Sequence, residues 1–190
     1  MQTRPTITFE ATYKGEADDG QEELRCLTAA GEFTTDRSQA ARFKVFVGLT
    51  NMQRARAEIR RHEIAGGFED WSDLTRAINR GRAVIIARLE KRIWPEGRPD
   101  AKGVERKEQA EAIDKAWRES DDVEIQNVHN LRVLKSRIDF MAEWEFLRAE
   151  VPKGWESLAD RTDDETVFMV LWNSYESAHE AYSRGKTKPS

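Results

Sequence analysis

Arginine side chains are concentrated between residues 51 and 92, where nine arginines and one lysine face six acidic residues. A guanidinium presents planar N–H groups that match the oxygens of a phosphate or a carboxylate. Three partners fit this chemistry: nearby carboxylates such as Glu58, Glu63 and Glu90, an acidic protein, or a nucleic acid. The arginines that would form a nucleic-acid-binding face are Arg54, Arg61, Arg76, Arg80 and Arg82.

Tryptophan is frequent in this chain, with six residues in 190, and five of the six lie in the last hundred positions. Tryptophan and tyrosine bury a large apolar surface and are enriched at the centres of protein interfaces. Packing inside the core is the alternative interpretation of the same residues. The residues predicted to contact a protein partner are Trp155, Trp172, Tyr175 and Tyr182.

Residues that usually form metal sites or nucleophiles are few and stand apart. His62, His129 and His179 show no ligand spacing, and Cys26, the only cysteine, has no histidine beside it. The sequence contains no glycine-rich phosphate loop and no Gly-x-Ser-x-Gly turn. We therefore predict a protein that is not an enzyme and that holds neither a metal ion nor a cofactor.

Composition excludes several classes of protein. Charged residues make up 35% of the chain, hydrophobic residues 38%, and the formal net charge is −4, which argues against a disordered chain and against a uniformly basic nucleic-acid coat. The longest apolar run is Val167 to Trp172, far shorter than the roughly 20 residues of a membrane span. No secretion signal follows Met1. We expect a cytoplasmic protein without membrane association.

Strand patterns are confined to the first fifty residues. Polar and apolar side chains partly alternate over 6–13, and short candidate strands follow at 23–28 and 42–47. Two or three strands are not stable alone in water, so residues 1–50 are predicted to form a small β element packed on helices.

Helical periodicity dominates the rest of the chain. Thr50 and Gln53 form a predicted capping box, as do Thr162 and Glu165. The predicted helices cover 50–65, 70–79, 80–94, 104–120, 121–150 and 163–183. The fold class is therefore mainly α, with five to six helices and a small N-terminal β element, or α+β. The predicted helical domain is 51–185, with a basic part at 51–94, a long-helix part at 104–185, and a loose tail at 186–190.

The stretch from Ile64 to Leu74 reads IAGGFEDWSDL, a glycine–phenylalanine turn before a helix capped by Asp or Ser. With its neighbours at 59–90 it resembles the helix-hairpin-helix DNA-binding modules of competence proteins. The resemblance implies backbone contacts with a DNA phosphate. That family carries a Gly-hydrophobic-Gly hairpin, whereas the matching stretch Ala77 to Gly81 keeps one glycine.

The C-terminal fifty residues combine the turn Pro152-Lys153-Gly154-Trp155 with an amphipathic helix containing Leu171 to Tyr175 and a short basic end. This arrangement resembles the ends of bacteriophage tail assembly chaperones and related small virion-morphogenesis proteins. The resemblance implies binding of a tape-measure or tail-tube protein during assembly, without catalysis, in the host cytoplasm or the virion.

Three functions are consistent with these observations. The first is a non-enzymatic protein-interaction or assembly factor, of a bacteriophage tail or virion if the C-terminal resemblance holds. The second is a nucleic-acid-binding protein that uses the basic helices at 51–92. The third is an inhibitor of a nucleic-acid-handling complex, bound through electrostatic complementarity. The sequence leaves the partner and the oligomeric state open.

Overall fold

The computed structural model describes residues 4–16, 20–120, 122–161 and 164–186. Within these ranges the chain forms five α-helices and six short β-strands. The predicted class, mainly α with a small N-terminal β element, is confirmed. In the same ranges no helix has both the length and the apolar character that crossing a bilayer requires.

The elements follow one another with strands first and helices afterwards. The strands are β1 (Thr6–Glu10), β2 (Thr12–Glu16), β3 (Glu22–Leu27), β4 (Phe33–Thr34), β5 (Arg42–Phe46) and β6 (Arg148–Glu150). The helices are α1 (Asn51–Ile64), α2 (Phe68–Ile93), α3 (Val104–Arg118), α4 (Val123–Leu147) and α5 (Glu165–Lys186).

Two antiparallel sheets of three strands form the β element, with strand orders β1-β5-β6 and β2-β3-β4. Strands β1 and β2 follow each other around Ala11, whose carbonyl accepts a hydrogen bond of 2.9 Å from the Leu27 amide. The chain thus leaves one sheet and enters the other without a loop. Strands β4 and β6 were not predicted. Residues 148–150 were expected to be helical but pair with β5, where Lys44 also forms an ion pair with Glu150.

The chain divides by contact density into two compact units. Unit 1 comprises residues 1–64 and 137–190, and unit 2 comprises residues 65–136. Helix α4 therefore contributes its C-terminal half to unit 1 and its N-terminal half to unit 2. This division does not coincide with the sequence-based domains 1–50 and 51–185, which stay a prediction.

The core of unit 1 is built on aromatic side chains from the sheet, from α4 and from α5. Phe43 of β5 lies edge-on to Trp144 and to Trp155, with ring centroids 6.0 and 5.3 Å apart. The Trp144 indole donates a 2.8 Å hydrogen bond to the Trp155 carbonyl, and the Trp155 indole donates one of 2.9 Å to Ala29. Both rings are fully buried, so each polar N–H is satisfied inside the core.

The predicted caps differ in outcome. The Thr50–Gln53 capping box is confirmed, because the Thr50 amide donates to Gln53 Oε1 at 3.1 Å and the Gln53 amide donates to Thr50 Oγ1 at 3.3 Å. Thr162 of the second predicted box lies outside the described residues. Among the described residues, Asp164 caps helix α5, since its carboxylate accepts the Thr166 amide at 2.8 Å.

Helix α2 is continuous over 26 residues, whereas the sequence predicted two helices that meet near residue 80. Gly81 lies in its middle, where glycine normally costs about 1 kcal/mol relative to alanine. A methyl group on Gly81 would lie 2.5 Å from a Val128 methyl carbon of α4. Gly81 is therefore a site of close helix packing in unit 2, not a helix end.

We expect Gly81→Ala to lower the stability of the protein although alanine is the better helix former. Because the new methyl group meets Val128, the double variant Gly81→Ala/Val128→Ala should recover part of the loss. Thermal unfolding measures both effects. Gly185→Ala in α5 is the matched control, since nothing lies within 4 Å of its added methyl group. Equal stability of Gly81→Ala and wild type would contradict the packing role of Gly81.

Candidate functional site

Helix α1 is held in unit 1 by ion pairs with α4. The Arg61 guanidinium contacts Asp139 at 2.8 Å and Glu143 at 2.6 Å, and it also pairs with Glu58 of its own helix. Only 17% of the Arg61 side chain is exposed. Arg61, a predicted nucleic-acid-binding residue, therefore forms ion pairs with three carboxylates and attaches α1 to α4.

Two carboxylates one helical turn apart on α4 share this arginine. Burial raises the pKa of the Glu143 carboxyl above its usual value, and Asp139 adds to the rise. The positive charges of Arg61 and Arg54 oppose it. Arg54, also a predicted nucleic-acid-binding residue, thus lies in the field of the same acidic pair. A further ion pair to α4, from Arg60 to Glu145 at 3.0 Å, strengthens the attachment, and Arg60 also pairs with Glu63 of its own helix at 2.9 Å.

The solvent-facing side of α1 carries apolar side chains beside charged ones such as Arg56 and Glu63. Met52 and Ile59 are 66% and 61% exposed, and Ala55 between them is exposed as well. Spacings of three and four residues place these side chains on one face of the helix. Helix α1 thus exposes apolar side chains, whereas its inner face combines the fully buried Ala57 with the ion pairs of Arg60 and Arg61. We call Met52, Ala55 and Ile59 the α1 seam.

The predicted partner-binding aromatics are mostly core residues or lie against the core. Trp155 is fully buried and also stacks under the Arg161 guanidinium, 4.3 Å from the ring centroid. Trp172 and Tyr175 are half-buried against Phe140, with centroids 4.8 and 5.3 Å away. Burial raises the pKa of the Tyr175 phenol to about 12. Tyr182 is also partly buried beside this cluster.

The remaining predicted arginines belong to α2 in unit 2. Arg76 and Arg80 are four residues apart and share one exposed face, on which Arg76 pairs with Asp73 at 2.7 Å. Lys91 continues this face, since it follows Arg80 by eleven residues. Arg82 is roughly 200° away from Arg80 around the helix, so the three arginines do not share one face.

Arg82 lines a cavity of about 240 Å³ in unit 2. Two further arginines reach the same cavity, Arg98 from the loop after α2 and Arg132 from α4. Its other lining residues are Ile86, Ala110, Ile113, Asp114 and Trp117. Sequence reasoning missed this site, because its arginines are up to fifty positions apart and no motif joins them.

The α1 seam was also missed, although a signal was present. Met52, Ala55 and Ile59 follow helical spacing in a segment that is also rich in arginine.

The described residues contain no group of three or more His, Cys, Asp or Glu side chains placed to hold a metal ion. Comparisons with protein-family models, with curated proteins and with solved structures found no match to this chain.

We expect Arg61→Met to destabilise the protein at neutral pH by about 2–3 kcal/mol, because two partly buried carboxylates lose their counter-charge. The loss should shrink as the pH falls. Without Arg61 the folded-state pKa of Glu143 rises further above 4.5, so the cost of its charge appears only as pH increases through that range.

Urea unfolding of wild type and variant between pH 5 and pH 7.5 measures this dependence. Arg56→Met is the matched control, since Arg56 is exposed on the same helix and has no ion pair among the described residues. A deficit for Arg61→Met that stays constant across this pH range would contradict the assigned role of the two carboxylates.

Proposed function

We propose that this protein is a non-enzymatic interaction factor that binds a protein partner through the α1 seam. The observation that carries the proposal is the exposure of large apolar side chains on α1. A surface helix normally turns its apolar side chains toward the core. Here Met52 and Ile59 face solvent while Arg60 and Arg61 face α4.

The seam has the pattern of a helix that docks into a groove. Apolar anchors at positions i, i+3 and i+7 are what a hydrophobic groove on a partner recognises. Arg56 is exposed beside the seam, and Glu58 and Glu63 keep 55% and 56% of their side chains exposed. Such charges provide the polar rim that surrounds the apolar centre of an interface.

The docking role predicts site-specific crosslinking. A benzophenone amino acid at position 59 should capture a discrete partner in the native cell, and the same group at position 24 should not. Leu24, 46% exposed on β3, is the matched apolar control. Adding Met52→Glu to the position-59 protein should weaken capture about tenfold, as loss of an interface anchor does. Equal capture from both positions would exclude the seam.

The identity of the captured protein separates the finer alternatives. A tape-measure, tail-tube or other virion component would support the bacteriophage assembly role implied by the C-terminal resemblance. A nucleic-acid enzyme would support the inhibitor role. A second copy of the chain would show that the seam serves self-association.

A second candidate function is nucleic-acid binding by the exposed face of α2. Arg76, Arg80 and Lys91 lie along about 22 Å of this helix. Lys91 and Arg80 have no ion pair with a described residue, so their charge is available to a phosphate backbone. Unit 2 holds as many acidic as basic residues, so attraction would depend on this face and not on net charge.

For this candidate we expect double-stranded DNA binding to weaken steeply with added salt, because each neutralised phosphate releases counterions. The triple variant Arg76→Gln/Arg80→Gln/Lys91→Gln should reduce the slope of log affinity against log salt by about 2.7. Filter binding between 50 and 200 mM salt measures it, with Arg106→Gln in α3 as control. A slope that the triple variant leaves unchanged would exclude the α2 face.

A further inference from the structure

The cavity of unit 2 gathers three cations around an apolar wall. Arg82, Arg98 and Arg132 come from three different segments, and Ile86, Ala110 and Ile113 supply the apolar part of the lining. Aspartate 114 is the one acidic residue of the lining. Even when Glu90, which pairs with Arg98, is counted with Asp114, three arginines face two carboxylates, so the cavity has an excess of positive charge.

Arg98 is fixed in position before any ligand binds. Its Nη1 donates to Glu90 at 2.7 Å and its Nε donates to Gln109 at 2.7 Å. Gln109 in turn donates to the Pro99 carbonyl at 3.0 Å, which fixes the amide that holds Arg98. A guanidinium held in this way loses little rotamer entropy when its remaining N–H groups bind an anion.

Arg82 and Arg132 differ from Arg98, because neither makes a hydrogen bond or ion pair with any residue that the structure describes. Within the described part of the chain their guanidinium groups are thus unpaired. Two such groups suit a dianionic group such as a phosphate monoester, which accepts bidentate hydrogen bonds. Asp114, an acceptor, suits a hydroxyl or amino group elsewhere on the same ligand.

Trp117 contributes an aromatic side chain to the cavity lining. The ring is half-buried beside Ile85, Leu89, Ile125 and Val128, which form the core of unit 2. Aromatic side chains stack on nucleobases, and each stacked base contributes about 1–3 kcal/mol. At about 240 Å³ the cavity is smaller than the roughly 300–1,000 Å³ of drug-sized ligand sites, so it admits part of one nucleotide, leaves the rest in solvent and excludes a duplex.

We propose that this cavity binds a nucleoside phosphate, with the base on Trp117, the phosphate between Arg82 and Arg132, and Asp114 accepting from a hydroxyl or exocyclic amine. The site lies wholly in unit 2 and does not depend on the α1 seam. The same chemistry is offered by a free nucleotide and by the 5′-phosphorylated end of a single strand.

Calorimetric titration of the full chain with the four ribonucleoside monophosphates tests the proposal. Adenosine, inorganic phosphate and a short single-stranded oligonucleotide, with and without a 5′-phosphate, are the comparison probes. At least one monophosphate or the phosphorylated oligonucleotide should bind, and more tightly than inorganic phosphate or the unphosphorylated forms. Binding of the oligonucleotide alone would identify a strand end as the source of the phosphate.

Arg82→Gln and Arg132→Gln should each weaken binding about tenfold or more, as loss of a charge-assisted hydrogen bond does. Neither variant should alter the melting temperature, because neither arginine has a partner to lose among the described residues. Arg92→Gln, an exposed arginine of α2 outside the cavity, is the control.

Three outcomes would overturn the proposal. They are no binding of any phosphorylated probe at millimolar concentration, an affinity unchanged by both cavity variants, and an equal loss in Arg92→Gln. Inorganic phosphate binding as tightly as every nucleotide would remove the nucleoside from the assignment.

Discussion

Two buried indoles hold unit 1 together. Trp144 donates to the carbonyl of Trp155, and Trp155 donates to the carbonyl of Ala29, so α4, the loop after β6 and the β3–β4 turn are joined by two hydrogen bonds. Both rings also pack on Phe43, which brings the sheet into the same cluster. A buried indole N–H without an acceptor costs about 1–3 kcal/mol. The positions of the two carbonyls, and hence of the turns that carry them, are therefore constrained by the core.

Capping residues and apolar periodicity predicted some helix positions correctly. The Thr50–Gln53 capping box placed the start of α1 correctly. The apolar periodicity of α4 predicts a buried stripe at 131, 134, 138, 141, 144 and 147, of which the last four residues are buried, whereas Leu134 is 46% exposed. Tertiary contacts decided the rest. Residues 148–150 pair with the edge of β5. Helix α2 continues through Gly81, where Val128 occupies the space that a side chain would need. Neither partner is near in sequence.

The candidate sites show the same division. Sequence correctly singled out an arginine-rich segment but could not tell which arginines face carboxylates, since Asp139 and Glu143 are about eighty positions from Arg61. Tryptophan count could not separate interface from core either, and Trp155 is a core residue. Because ion pairs attach α1 to α4, apolar residues of α1 can face solvent. That consequence is visible only when both faces of the helix are known.

A helix that is attached by ion pairs responds to salt and to temperature differently from a helix that is held by apolar packing. Dissolved ions screen charge pairs over about 8–10 Å at ordinary ionic strength, and the desolvation cost of such pairs falls as temperature rises. Apolar packing, by contrast, is strengthened by salting-out ions. Moderate heating therefore leaves the hold of Arg60 and Arg61 on α4 largely intact, whereas concentrated electrolyte weakens it. Electrolyte thus acts in opposite senses on the two parts of unit 1, weakening the ion pairs of α1 and strengthening the packing of the aromatic core.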